Sequence, residues 1–295
     1  VPTIYGESIV MRLLDRSSIF LPLEKLGFTP ETRRPFERLI VRPHGMLLVT
    51  GPTGSGKTTT LYAGLDKINS PDKKIITIED PVEYQLKGVN QIAVRPKIGL
   101  SFANGLRHIV RQDPDIIMVG EIRDLETAEI AIQAALTGHL VFSTLHTNDA
   151  PGAITRLQDM GAEPYLVASV LHGVLAQRLV RRICLACRAP PPPDPAALRA
   201  LGLARALEET PPRFKGAGCD QCRGTGYRGR TAIYELFVIN EDARSLIVRK
   251  APTGDIRRHA TDALGMVTLR EDGWARAKLG ITTIDEVLRV TQEEE

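Results

Sequence analysis

The sequence predicts an α/β fold in which a largely parallel sheet carries helices on its faces. Two observations predict it. Apolar strand-like segments alternate with helical ones from "GMLLVTG" to "APGAITRLQDM", and a glycine-rich loop joins the first of these strands to the first of these helices. Alternation of this kind produces parallel strands because a helical crossover joins each strand to the next.

Each element has its own signal in the chain. The predicted strands are apolar or β-branched: "GMLLVTG", "KKIITIED", "PDIIMVGEI" and "HLVFSTLH". The predicted helices are "TTTLYAGLDKI", "SFANGLRHIVRQ", "LETAEIAIQAALT", which ends at Gly138, and "APGAITRLQDM". We expect "PYLVASVLHGVLAQRLVRRI" to form one long helix. From "TAIYELFVI" onward we expect one strand followed by mainly helical sequence.

Composition sets the outer limits. The chain has 295 residues, of which 43% are hydrophobic and 25% charged, as in ordinary soluble globular proteins. No apolar run reaches the length of a membrane span, and we expect no signal peptide in the segment that begins at Val1. The net charge of +3 does not by itself indicate a nucleic-acid partner. Because "VPTIYGESIVMRLLD" starts abruptly without a methionine, we expect a fragment of a longer protein.

The glycine-rich loop matches the pattern G-x-x-x-x-G-K-[ST] at every required position. Glycines allow the backbone N–H groups to curl around an anion, Lys57 adds a cation, and Thr58 offers a hydroxyl to Mg²⁺. A plain Gly/Ser turn is the alternative, but the order of strand, loop and helix favours an NTP site. The residues predicted to bind ATP with Mg²⁺ are Gly51, Thr53, Gly54, Ser55, Gly56, Lys57, Thr58 and Thr59.

Acidic residues follow two of the predicted strands. Glu121 ends "PDIIMVGEI", and Glu79 lies with Asp80 and Glu83 in "ITIEDPVEY". The carboxyl edge of a parallel sheet carries the ligands, and a P-loop site needs an acid there for Mg²⁺. We expect Glu121 to act on the metal side and Glu79 to act as the base or to position water, although the two roles could be exchanged. His146 follows the next strand and could sense the γ-phosphate, although a single histidine is more often structural.

All four cysteines of the chain lie in two C-x-x-C pairs: Cys184 with Cys187, and Cys219 with Cys222. Four thiolates satisfy tetrahedral Zn²⁺, so we expect a structural zinc site. Two disulfides or a redox motif are the alternatives, and a reducing compartment disfavours the disulfides. Between the pairs, the proline-rich stretch "RAPPPPDPAALRALGLARALEETPP" is expected to project as a surface insertion.

Four blocks occur in a fixed order: "GPTGSGKTTT", "TIEDPVEY", "LRHIVRQDPDIIMVGEIRD" and "TGHLVFSTLHTND". Together they resemble the Walker A, Asp box, Walker B and His box of the secretion ATPases, the family of type II secretion protein E and the type IV pilus assembly ATPase PilB. "GYRGRTAIYEL" and "MVTLREDGWARAKLGITTIDEVLRVT" resemble the closing segments of that family. The retraction ATPases of the same superfamily generally lack the cysteine block, so the resemblance favours assembly and export.

The resemblance implies a RecA-like P-loop NTPase core with a zinc-knuckle insertion and a mostly helical C-terminal part. Its implied domains are residues 1–20 (the end of a second N-terminal domain), 21–42 (linker), 43–183 (ATPase core), 184–230 (tetracysteine subdomain) and 231–295 (C-terminal helices). It also implies a homohexamer at the cytoplasmic face of the inner membrane. There the hexamer would drive an inner-membrane platform protein for type IV pilus assembly or type II secretion, without contacting nucleic acid directly.

Two expectations stay balanced against alternatives. Arg12 lies where the resemblance places an N-terminal-domain arginine that reaches the γ-phosphate, but an ion pair with Glu7 or Asp15 fits the sequence equally well.

A RecA-like nucleic-acid motor or packaging ATPase is the alternative function. That class needs a basic channel and stacking aromatic residues. The chain is only 5% aromatic, and "RLVRRI" is its one Lys/Arg cluster.

Overall fold

A seven-stranded sheet forms the centre of the protein. The computed structural model describes residues 2–9, 21–190, 195–203 and 214–292, so Arg12 lies outside the described residues. The strands of the sheet are β3 (Gly45–Thr50), β4 (Ile75–Glu79), β5 (Val89–Ala93), β6 (Ile116–Val119), β7 (Leu140–Leu145), β8 (Leu171–Ile183) and β11 (Tyr227–Val238). Pairs of two-residue strands form two separate two-stranded sheets, β1 (Pro2–Thr3) with β2 (Gly6–Glu7) and β9 (Arg188–Ala189) with β10 (Lys215–Gly216).

The sheet is largely parallel, as predicted. Its strand order is β11-β8-β3-β7-β6-β4-β5, and only the β11–β8 pair is antiparallel. The registers align the carboxyl ends of the central strands, with Thr50 opposite Leu145 and Ile78 opposite Val119. The loops that follow β3, β4, β6 and β7 therefore leave the sheet at one edge, where parallel α/β folds bind their ligands.

Helices cover both faces of the sheet. They are α1 (Pro30–Ile40), α2 (Lys57–Ile68), α3 (Phe102–Ile109), α4 (Leu125–Leu136), α5 (Ala150–Asp159), α6 (Pro164–Val170), α7 (Pro195–Ala200), α8 (Glu241–Val248), α9 (Thr253–Arg258), α10 (Leu269–Lys278) and α11 (Ile284–Thr291). One apolar core lies between the sheet and α1 with α2, and a second lies between the opposite face and α3 to α6 with α8 and α9. No helix of the described segments is long and apolar enough to cross a membrane.

The prediction of one long helix after residue 163 is wrong. Only Pro164–Val170 is helical, and Leu171–Ile183 is a strand between β3 and β11. The strand is buried along most of its length, so both of its faces contact the core. A strand buried on both faces shows no alternation of polar and apolar residues, and its apolar run is then indistinguishable from that of a buried helix.

Four further segments differ from the expectation or add to it. β5 was not predicted, and β11 crosses the boundary expected at residue 230 to form an edge of the sheet. The segment expected as a linker contains α1, whose Phe36 and Ile40 are buried in the core. The described part of the proline-rich insertion does not project, because Leu201 is buried against Trp274 of α10 and Val287 of α11.

Candidate nucleotide site and tetracysteine cluster

The phosphate-binding loop, residues 51–56, joins β3 to α2. Gly56 precedes the first residue of α2 with a left-handed φ of +88°. Gly51 has a φ of +146°, and a Cβ there would lie 2.5 Å from the carbonyl oxygen of Gln177. Only glycine fits this combination of backbone angle and close approach. The hydroxyl of Ser55 is buried without a partner among the described residues, as expected of a loop built to surround an oxyanion.

Lys57 lies against the loop that it follows. Its Nζ donates to the carbonyl oxygens of Gly51 at 2.8 Å and Pro52 at 3.1 Å. Burial lowers the pKa of Lys57 to about 8, and the nearby charge of Glu121 acts in the opposite direction. An ammonium group that is partly desolvated and has only carbonyl partners favours the approach of an anion.

Glu121 and His146 meet beside this lysine. Glu121 follows β6 and lies 2.5 Å from Arg123, and its other oxygen is 3.3 Å from Nε2 of His146. Burial and then the charge of Lys57 lower the pKa of His146, which favours the neutral imidazole. The fold thus brings together one carboxylate, one histidine and the lysine that the sequence proposed as site residues. Their chemical roles stay predictions.

Glu79 lies in a different environment. Its buried carboxylate accepts hydrogen bonds from the Tyr62 hydroxyl, from Thr77 at 2.5 Å and from Gln91 at 3.1 Å. Burial, followed by the bond to Glu79, raises the pKa of Tyr62 far above its usual range, so the phenol is a permanent donor. Tyr62 and Thr77 are buried and Gln91 is half-buried, and Glu79 would have to exchange one of these donors to act as a base. That role stays a prediction.

The four cysteines come together at the end of β8. Their sulfur atoms lie within 4.8 Å of one another, and three pairs are separated by 3.7 to 3.9 Å. A tetrahedral site with Zn–S bonds of about 2.3 Å places its sulfurs about 3.8 Å apart. These separations exclude disulfides in this structure. Burial raises the pKa of Cys187 to about 11, whereas N–H donors from Cys219 and Gly226 outweigh desolvation and lower the pKa of Cys222 to about 6. Cys222 is therefore the thiol of this pair that ionises first.

The sequence profile of the type II/IV secretion system proteins matches residues 1–289. The chain belongs to this family. It is 54% identical over 293 residues to the type II secretion system protein E of Xanthomonas campestris pv. campestris, covering 99% of this chain and 52% of that protein. It is also 54% identical over 293 residues to the type IV pilus assembly ATPase PilB of Thermus thermophilus, covering 99% of this chain and 33% of that protein.

The fold also agrees with that of a solved family structure. The pilus retraction motor PilT with bound ADP superposes with a TM-score of 0.68 and 32% identity, over 92% of this chain and 67% of that chain. The sequence resemblance to the secretion ATPases is therefore confirmed. The chain spans about half the length of the first relative and a third of the second.

Two polar residues of the site were missed by the sequence analysis. Gln177 and Arg178 are consecutive residues of β8, and both are buried next to the phosphate-binding loop of this secretion-family chain. One signal could have found them: a polar pair inside the apolar run "GVLAQRLV". A buried polar pair in a strand needs partners, and the nearest loop with free backbone groups is the glycine-rich one.

Proposed function

We propose that this chain is the ATP-hydrolysing part of a motor that powers type II secretion or type IV pilus assembly. The observation that carries the proposal is the meeting of Lys57, Glu121 and His146 beside a glycine loop at the carboxyl edge of a parallel sheet. Membership of the secretion family and the names of its relatives support the same reading.

The proposed roles follow the positions of the side chains. The loop N–H groups, Ser55 and Lys57 would hold the phosphates of ATP, and Thr58 with Glu121 would hold Mg²⁺. Thr53 of the loop and Thr59 of the first turn of α2 would add further contacts. His146 would respond to the γ-phosphate through its contact with Glu121. Glu79 would position or deprotonate the attacking water, and Arg12 would reach the γ-phosphate from the N-terminal segment.

Work on a partner requires an assembly. We propose a homohexamer at the cytoplasmic face of the inner membrane that moves an inner-membrane platform protein and reaches the membrane only through such partners. Pilus and secretion relatives match this chain equally well, at 54% identity each, so both machines stay within the proposal. A nucleic-acid motor with the same core is the competing function.

The cysteine cluster is proposed to bind one structural Zn²⁺. Cys184, Cys187, Cys219 and Cys222 supply four sulfur ligands, which leaves no open position for a substrate. The ion would join the end of β8 to the start of β11, where the backbone N–H of Cys184 already donates to the carbonyl oxygen of Gly226 at 2.9 Å.

Hydrolysis by purified variants tests the proposed function. Lys57→Ala should abolish ATP turnover, and Glu121→Ala should retain ATP binding but lose hydrolysis. Lys67→Ala is the matched control, because Lys67 lies on the same helix and forms surface ion pairs with Glu24 and Glu37 that contribute little. Normal turnover by Lys57→Ala would contradict the site. Strong stimulation of the wild-type chain by single-stranded DNA would favour the nucleic-acid motor instead.

A further inference from the structure

Gln177 and Arg178 lie in the middle of β8, where the strand passes the end of β3. Their exposed fractions are 2% and 7%. Because successive side chains of a strand point to opposite faces, the two reach different partners across the sheet. The partners of Gln177 lie in the phosphate-binding loop and α2, and those of Arg178 lie in the segment that follows His146 (residues 147–150, the His146 segment) and in α11.

The Gln177 amide forms hydrogen bonds with both of its ends on the loop side. Its Nε2 donates to the carbonyl oxygen of Ser55 at 2.8 Å, and its Oε1 accepts from the hydroxyl of Thr60 at 2.7 Å. Ser55 lies in the loop and Thr60 in the first turns of α2. The amide therefore fixes the loop relative to the helix whose N-terminus would face the phosphates.

The Arg178 guanidinium holds backbone oxygens on the opposite face. It donates to the carbonyl oxygen of Asn148 at 2.9 Å and to that of Val290 at 3.2 Å. Asn148 lies two residues beyond His146, and Val290 belongs to α11. Its Nε and its two terminal nitrogens bond to different parts of the chain, so one guanidinium contacts both of these segments.

Arg178 also reaches back toward the loop. It donates to the carbonyl oxygen of Gln177 at 3.1 Å, and the same nitrogen lies 3.0 Å from the position of a Cβ on Gly51. The loop, the His146 segment and α11 thus share one rigid strand as their common support.

We propose that Gln177 positions the phosphate-binding loop, and that Arg178 couples the state of that loop to the segment after His146 and to α11. This inference rests on the proposed function, since it assumes that a nucleotide occupies the loop. The two neighbours have separable effects: Gln177 sets nucleotide affinity, whereas Arg178 sets what the bound nucleotide does to the segment after His146 and to α11.

Affinity for the fluorescent analogue mant-ATP with Mg²⁺ tests the first half. Gln177→Met keeps the side-chain length but removes both hydrogen bonds, and it should weaken binding by about tenfold or more. Gln158→Met is the matched control, because that amide also donates to a backbone carbonyl, of Ile247 at 3.0 Å, but on α8. If Gln177→Met fails to fold, Thr60→Val removes one of the two bonds and should weaken binding by about threefold. Affinity equal to that of Gln158→Met would overturn the positioning role.

Hydrogen–deuterium exchange with and without a non-hydrolysable ATP analogue tests the second half. In the wild-type chain, the nucleotide should slow exchange in residues 147–150 and in α11. Arg178→Lys should bind mant-ATP within about threefold of wild type, yet lose this protection and show a kcat at least about tenfold lower. Arg181→Lys loosens another contact with α11, its ion pair with Glu286, and should retain the protection.

The outcomes separate this inference from the proposed function. Retained protection in Arg178→Lys would refute the coupling even if hydrolysis proceeds as proposed. A wild-type chain that binds ATP but does not hydrolyse it would refute the proposed function, and the affinity and exchange measurements would still decide the inference. A wild-type chain that binds no nucleotide would refute both.

Discussion

Replacing Glu235 with glutamine should change how the stability of the protein depends on pH. Glu235 lies on β11 and is buried, with Oε1 accepting from the N–H of Ala150 at 2.8 Å and Oε2 from that of Leu269 at 3.3 Å. These are the first residues of α5 and α10, and helix N-termini favour a carboxylate. Burial nevertheless dominates and raises the pKa of Glu235 from 4.5 to about 7.

The sign and size of the effect follow from that shift. Between pH 4.5 and pH 7 the folded state holds a proton at Glu235 that the unfolded chain has lost. Stability is therefore fully present below the unfolded pKa and is lost as the pH rises through the folded one. Each pKa unit corresponds to about 1.4 kcal/mol, so a shift from 4.5 to about 7 amounts to about 3 kcal/mol. Glutamine cannot titrate, and Glu235→Gln should lack this contribution to the pH dependence.

Urea unfolding of both proteins at intervals from pH 5 to pH 8 provides the assay. The free energy of unfolding of the wild type, minus that of Glu235→Gln, should fall by about 2 to 3 kcal/mol across the range. Glu286→Gln is the control. Desolvation of Glu286 is outweighed by hydrogen bonds from Arg289 and Arg181, which lower its pKa to about 2, so its difference from wild type should stay constant over this range. A constant difference for Glu235→Gln as well would refute the reasoning.

Two further outcomes are expected. Gly51→Ala should lower the melting temperature and abolish ATP binding, because its Cβ would lie 2.5 Å from the Gln177 carbonyl oxygen at a φ of +146°. Gly254→Ala is the control and should do neither, because a Cβ there would have no atom within 4 Å. A normal melting temperature for Gly51→Ala would contradict the close approach. Metal analysis should find close to one zinc per chain in the wild type and much less in Cys222→Ser, and chelation should lower the melting temperature of the wild type. Four free thiols and no zinc in the wild type, with a melting temperature that chelation leaves unchanged, would contradict the zinc proposal.

The predicted parts of the fold depend on short-range signals. The glycines of residues 51–56 identify the loop, and short apolar runs bounded by polar residues identify β3, β6 and β7. The ends of parallel strands meet at one edge, so the neighbourhood of Glu121 and His146 followed from the order of the elements alone. These inferences needed no knowledge of which side chains touch.

The missed parts depend on long-range partners. Leu171–Ile183 is a strand because β3 and β11 flank it, and β11 begins more than forty residues later in the chain. The two C-x-x-C pairs are visible as short sequence patterns. The position where the insertion packs is not, because Leu201 lies in one apolar cluster with Trp274 of α10, a helix far away in the sequence. Sequence spacing contains no information on such pairings, and tertiary packing decides them.

The same distinction separates the two site carboxylates, which look equivalent in the sequence. Glu121 is 13% exposed and is held by side chains that reach it from solvent, Arg123 at 65% and His146 at 47% exposure. Exposed ion pairs contribute little, so Glu121 can exchange a partner for a metal ion at small cost. Glu79 is held by the buried hydroxyls of Tyr62 and Thr77, and breaking either bond would leave a buried hydroxyl without its acceptor. A metal-side role for Glu121 therefore requires no rearrangement of the core, whereas a base role for Glu79 requires it to exchange a buried hydrogen bond when the nucleotide binds.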